Sequence, residues 1–299
     1  MRIIRPTVID DAMLVSSNVP ETDYAAWSAA TTYALGDRAI NTTTHTIYES
    51  IQAGNLNHDP VADTALATPL WWKVVSATGR WKMFDGLAGA QTESATGIEV
   101  ELAPGRINAA ALINLDAESV TLELKDGATT IYSTTVSLAL ENVFDWYEYF
   151  FEPIIRKTDV AITDIPVFGS AHLFVTVNGG AGVAKCGELV VGMWRDLGST
   201  MWAPRAGIID YSRKEVDEYG NPNVLQRRFS KRLNCDLHVQ TRLVDETHRL
   251  LTEFRSTPIV WIGTDLFAST IIFGFYRDFE AIISGPVSSK CSLQIEGLI

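Results

Sequence analysis

Five histidines, His45, His58, His172, His238 and His248, are the side chains best suited to moving protons near neutral pH, and they sit in unrelated contexts. No Gly-x-Ser-x-Gly, His-Glu-x-x-His or phosphate-cradling glycine loop accompanies them. Gly179-Gly180-Ala181-Gly182 lies between two expected strands and reads as a flexible turn. The acid pairs Asp10-Asp11 and Asp245-Glu246 read as solvated surface, the second near a helix start where the dipole favours negative charge. Asp116 with Glu118, and Asp159 with Asp164, are the carboxylates a loop calcium site would draw on, but loop acids are more often solvated turn residues. Cys186, Cys235 and Cys291 are odd in number, far apart and without metal spacing, so three reduced, buried thiols are expected. Glycoside hydrolysis would need two carboxylates flanking a sugar cleft, and nothing marks a barrel to carry them. The expectation is therefore no enzyme, no metal and no cofactor.

Two stretches carry the residue types of binding surfaces. Between Tyr24 and Val75 lie Trp27, Tyr33, Tyr48, Trp71 and Trp72, which can stack on a sugar or a partner, or fill the core of a unit too small to have much else. Adjacent residues of a strand point to opposite faces, so one of Trp71 and Trp72 should be buried and the other partly exposed. Further on, Arg213, Lys214, Arg227, Arg228, Lys231 and Arg232 fall on two expected strands. Six like charges brought together need acidic partners, and Glu215, Asp217 and Glu218 answer only part of them. A subunit interface is the expected use.

The elements that must position these residues are mostly strands. The 299 residues suffice for two or three domains, and no apolar run is long enough for a membrane span. The start, Met1-Arg2-Ile3-Ile4-Arg5-Pro6, has no secretory apolar segment, so assembly in a cytoplasm is expected. A net charge of −12 argues against sequence-specific nucleic-acid binding. Residues 1–195 hold 12 Lys and Arg against 23 Asp and Glu, a balance of −11, whereas residues 196–299 hold 12 against 13, a balance of −1. That asymmetry places a boundary near Arg195. Residues 1–22 lack a sustained period and read as an N-terminal arm. Residues 23–76 form a small aromatic-rich β module, with strands over Asp37–Asn41 and Thr46–Ile51. Alternation such as Ile98, Val100 and Leu102 against Glu99, Glu101 and Ala103, with the hairpin signal Asp126-Gly127, predicts a β-sandwich over 77–194. Its expected strands include Ile107–Leu115, Ile131–Leu138, Trp146–Phe151, Val160–Thr163, Leu173–Val177 and Cys186–Val191. Residues 195–299 read as a β-barrel or sandwich with one packed helix. Ala206–Asp217 and Val224–Val239 are long strands joined through Tyr219-Gly220-Asn221-Pro222-Asn223. The helix spans Arg242 to Arg255 with Leu243, Thr247, Leu250, Leu251 and Phe254 on one face, and Pro258 stops it. The fold class is thus mainly β.

Three resemblances follow from these residues. Trp27, Tyr33-x-x-Gly36-Asp37-x-Ala39, Tyr48, Pro60 and Trp72-Lys73-Val74 resemble the small chitin-binding modules attached to chitinases and found in phage tail proteins. That resemblance implies that Trp72 and another exposed aromatic stack on sugar faces, although Ile51-Gln52-Ala53 stands where many such modules carry aromatics. The strand rhythm after Trp81-Lys82-Met83-Phe84-Asp85 loosely resembles jelly-roll sandwiches related to galactose-binding domains. The final third resembles the tail-tube and distal-tail fold of long-tailed phages. The likeness rests on the hairpin Tyr211-Ser-Arg-Lys-Glu-Val-Asp-Glu-Tyr-Gly220, the return strand Arg227-Arg228-Phe229-Ser230-Lys231-Arg232, Gly274-Phe275-Tyr276-Arg277-Asp278-Phe279, and the closing Cys291-Ser-Leu-Gln-Ile-Glu-Gly297. It implies a virion component of a tail, tail tip or collar, with partners among other tail proteins and itself in a ring. The alternative it leaves open is a receptor-binding protein that recognises a host surface polysaccharide.

Overall fold

The computed structural model describes residues 1–140, 145–151, 155–216, 218–264 and 267–298. Arg2–Pro6 forms strand β1, and both Ile3 and Ile4 are fully buried. Consecutive buried residues mark a strand covered on both faces. β2, Leu14–Ser17, follows on a different sheet. The lead-in expected as an arm is thus built into the body of the chain. A five-residue strand is too short for alternation to show in the sequence.

The aromatic module is a three-stranded antiparallel sheet of β3 (Arg38–Asn41), β4 (Thr46–Ser50) and β5 (Trp72–Ala77). The first two strands lie within a residue of where the sequence puts them. A short helix α1, Pro60–Thr64, starts at Pro60 with the Asp59 carboxylate accepting from the Val61 N–H at 2.9 Å. Asp63 on α1 is buried and accepts from the N–H groups of Leu70, Trp71 and Trp72 at 3.2, 3.0 and 2.8 Å. Burial works against its charge, but the three donors outweigh it and hold the carboxyl below its ordinary range. This carboxylate docks the start of β5 on the helix.

The middle of the chain supplies β6 (Ile98–Leu102), β7 (Ala109–Ile113), β8 (Ser119–Asp126), β9 (Thr129–Ser137), α2 (Trp146–Phe151), β10 (Val160–Ile162), β11 (His172–Asn178) and β12 (Glu188–Asp196). Gly127 turns β8 into β9 at φ 57°, as the Asp-Gly pair predicts. Trp146–Phe151, expected as a strand, is a helix. Its aromatics, which read as strand formers, pair instead at i, i+4, with Trp146 on Phe150 and Tyr147 on Phe151. A five-stranded sheet in the order β9-β8-β11-β6-β2 faces β10, β7 and β12 across a core that includes Leu102, Leu112, Leu122, Leu173, Val175 and Leu189. The two layers have the facing arrangement of a sandwich, but the second belongs to a larger sheet and β2 joins the first from outside residues 77–194.

The last third adds β13 (Arg205–Asp210), β14 (Arg213–Val216), β15 (Pro222–Leu225), β16 (Phe229–Gln240), α3 (Val244–Glu253), β17 (Ile259–Ile262), β18 (Ile271–Ile282) and β19 (Ser288–Gly297). These do not form a separate sheet. A single ten-stranded sheet runs β10-β7-β12-β1-β17-β18-β19-β16, with β13 and Ser199–Thr200 also pairing to β16. β1 lies at its centre, with Ile4 opposite Trp194 on one side and Val260 on the other. The boundary expected near Arg195 therefore falls inside β12. Charge balance reports on surface, whereas continuity of a sheet depends on the apolar residues beneath it. Among the described residues no helix is long and apolar enough to cross a membrane.

One face of this sheet buries the sandwich core at β7 and β12, and α3 at β16, β17 and β19. The other face carries Ile4, Val190, Val260, Ile262, Ile271 and Phe273 in a continuous layer. The sheet curls about that second layer until its ends approach. Lys231 of β16 forms an ion pair with Asp159, the residue before β10.

On α3 the buried stripe is Val244, Thr247 and Leu251, continued by Phe254, while Leu250 is half-buried and Leu243 exposed. The expected stripe was one residue out of phase at its start, because the first turn, Thr241–Leu243, is a 3-10 turn. Leu251→Ala should cost roughly 2–5 kcal/mol in denaturant unfolding, and Leu250→Ala distinctly less. Equal losses would place both side chains equally deep.

Candidate interaction surfaces

The five aromatics of the small module come together, but mostly inward. Trp72 is fully buried, Tyr33 and Tyr48 are buried, and Trp27 and Trp71 are half-buried against them. Tyr33 meets Trp72 edge-on at 5.0 Å between ring centroids, and the Trp72 Nε1–H donates to the His58 carbonyl at 2.8 Å. Trp71 stacks on His58, with ring centroids 3.8 Å apart and planes within 9°. One tryptophan is buried and the other partly exposed, as expected, although Trp71 stands just before β5 and not on it. The sugar-stacking role that the resemblance gave to Trp72 is corrected by its burial: no face of that ring meets solvent. Tyr33 and Tyr48 are buried as well, at 8% and 4% exposure. In so small a unit these rings supply the core.

The expected long hairpin is present with a joint in it. β13 pairs with the first half of β16, and β14 pairs with β15 as a separate two-stranded tip. The Asp210 carboxylate accepts from the Ser212 hydroxyl and N–H at 2.6 and 2.9 Å, and the Arg227 N–H donates to Ser212 Oγ at 3.0 Å. These bonds to Ser212 hold the Asp210 carboxyl below its ordinary range. Each residue of β14 and β15 is exposed, including Val216, Val224 and Leu225, and Tyr219 at the tip is 89% exposed. Asp217, one of the acids expected to answer the basic cluster, lies outside the described residues.

Arg213 and Lys214 stand on the tip, Arg227 and Arg228 at the joint, and Lys231 and Arg232 on β16. Lys231 does not belong with the others. Its ammonium is paired with Asp159, which also accepts from the Thr158 hydroxyl at 2.6 Å and the Asn114 N–H at 3.3 Å. Asp159 is only 4% exposed, so this carboxylate, read from the sequence as a calcium candidate, is satisfied by the chain itself. Asp164, its expected companion, accepts instead from the Tyr132 hydroxyl at 2.8 Å. The histidines also stay apart: His45 bridges Asp11 and Glu21, and His172 meets Glu101.

Beside the Lys231–Asp159 pair, the seam of the curled sheet opens into a cleft of about 290 Å³. Ala88 and Ile113 wall it on one side, and Phe229, Ile271, Phe273 and Leu298 on the other, with Arg228 at its edge. No stretch of sequence announces it, because its walls come from residues 88 to 298. Lys231→Met would leave a buried carboxylate uncompensated and should cost about 3 kcal/mol. Adding Asp159→Asn should recover part of that loss, which a double-mutant cycle measures. Additive losses would show that the two groups do not interact.

Sequence reasoning also missed a pair of acids under the same sheet. Glu188 is buried at the start of β12, and its carboxyl accepts from the Gly86 N–H at 3.0 Å. Burial, with the nearby Asp85 charge, pushes its pKa up to about 9; burial raises Asp85 to about 6 against the pull of the Leu87 N–H and Lys82. Both acids hold protons in the folded chain that the unfolded chain releases. Their contribution to stability is thus full below about pH 4 and falls as pH rises, through 6 for Asp85 and 9 for Glu188. Glu188→Gln keeps an acceptor for Gly86 and removes the charge. From pH 6.5 to pH 8, above the Asp85 step, the wild-type chain should lose stability by up to about 1.4 kcal/mol per pH unit, and the Gln chain much less, by unfolding at each pH. Identical pH profiles would show that Glu188 is ionised in the folded state.

No protein-family model, no characterised protein and no solved structure matches this chain.

Proposed function

We propose that this chain is a structural component of a phage virion, in the tail, tail tip or collar. It assembles with itself into a ring and holds fibres or other tail proteins. The observation that carries this reading is the two-part hairpin. The residues of its two tip strands are all exposed, and the tip displays Val216, Tyr219, Val224 and Leu225 among Arg213, Lys214 and Arg227. Apolar and cationic side chains raised together on a projection make an unusual solvated surface and a common protein-contact surface. The strongly acidic remainder of the chain supplies complementary charge for a neighbouring copy. Glycan adhesion has less support, since Tyr33, Tyr48 and Trp72 are committed to the module core.

Reversing Arg227, Arg228 and Arg232 to Glu tests the assembly reading. Normal circular dichroism with failure to enter particles is the expected result. Normal particles from the triple variant would overturn it.

A further inference from the structure

Helix α2 is the most apolar exposed element in the described chain. Trp146 is 79% exposed, Tyr147 68%, Phe150 67% and Phe151 72%. Contiguous apolar surface of this kind on a folded chain marks a contact site. The helix is not a stray loop. It sits on an excursion whose neck is closed by pairing of Ala139 with Arg156, with the Leu140 N–H on the Ile155 carbonyl at 2.8 Å and the Lys157 N–H on the Leu138 carbonyl at 2.7 Å. The excursion is anionic as well as aromatic. Between Lys125 and Arg156 the sequence has no Lys, Arg or His and carries the acids Asp126, Glu141, Asp145, Glu148 and Glu152.

The seam cleft has the opposite character. Its walls are the apolar side chains of Ile113, Phe229, Ile271, Phe273 and Leu298, and its charged edge is cationic, with Arg228 and Lys231 against the single Asp159. Trp146, Tyr147, Phe150 and Phe151 are exposed in the single chain and are not among the residues lining that cleft. We propose that the cleft receives helix α2 of a second copy of this chain. Trp146 and Phe150 enter between Phe229 and the Ile113 wall, and the negative charge of the stretch that carries α2 favours the side of Arg228. The projecting element and the receiving element are different surfaces of one chain, so the contact is heterologous. Repeated, it closes a ring or runs on as a filament. The inference rests on the reading that the chain self-assembles, and adds which surfaces meet.

The test uses the full chain and two exposed-site variants, with light scattering over a wide range of concentration. Trp146→Ala with Phe150→Ala removes the projection, and Phe229→Glu places negative charge on the cleft wall. Circular dichroism and melting confirm each fold, and Phe229→Ser replaces Phe229→Glu if the latter is not native. Wild-type chain should assemble as concentration rises. Each variant alone should weaken assembly about tenfold or more. An equimolar mixture of the two variants retains one intact projection and one intact cleft, so it should stop at the dimer. A wild-type chain that stays monomeric, a variant that assembles like wild type, or a mixture that stays monomeric would each overturn the contact. If the projection-less variant enters particles normally while the triple arginine variant does not, the ring reading stands and this contact falls.

Discussion

An open sheet has two edges, and each edge offers unpaired backbone groups to any passing strand. In this chain the ten-stranded sheet answers that constraint by curling, and the ends are drawn together by charge. Lys231 reaches from β16 to Asp159 beside β10. Because Asp159 is buried and also accepts from Thr158 and Asn114, the pair is a directed tie, unlike a mobile surface bridge. The curl in turn gives Ile4, Val190, Val260 and Phe273 a shared interior layer. It also leaves a gap where no backbone ladder crosses, and the cleft is that gap.

What could be seen in the sequence was local. Alternation found β6, β8 and β11 because one face of each is buried and the other solvated. The Asp126-Gly127 turn declared itself through the conformation it needs. β1 did not, because a central strand with Ile3 and Ile4 both buried has no alternation to display. Trp146–Phe151 misled in the other direction: aromatic residues favour strands on average, and this segment is a helix that exposes them.

The interaction surfaces divide in the same way. The aromatic module was found by its residue types, but residue type does not say which way a ring points. Trp72, the first residue of β5, is core against Tyr33, whereas Trp71, just before the strand, lies half-exposed on His58. The basic cluster was visible as charge, while the reassignment of Lys231 needed Asp159, distant in sequence. The cleft and the Glu188–Asp85 pair are products of tertiary closure alone.

The place of β1 also bears on how the chain reaches its fold during synthesis. Its two partners, around Arg195 and Trp261, emerge about 190 and about 260 residues after Ile3, so the first strand made waits long for both of its ladders. Until β12 emerges both edges of the Ile-rich β1 stand unpaired, and until β17 emerges one of them still does. Such a chain is slow to mature and vulnerable to mispairing with its neighbours on the same polysome. A protein made in many copies at once would feel that hazard most, and would benefit from a chaperone that covers the free edge of β1 until β17 arrives.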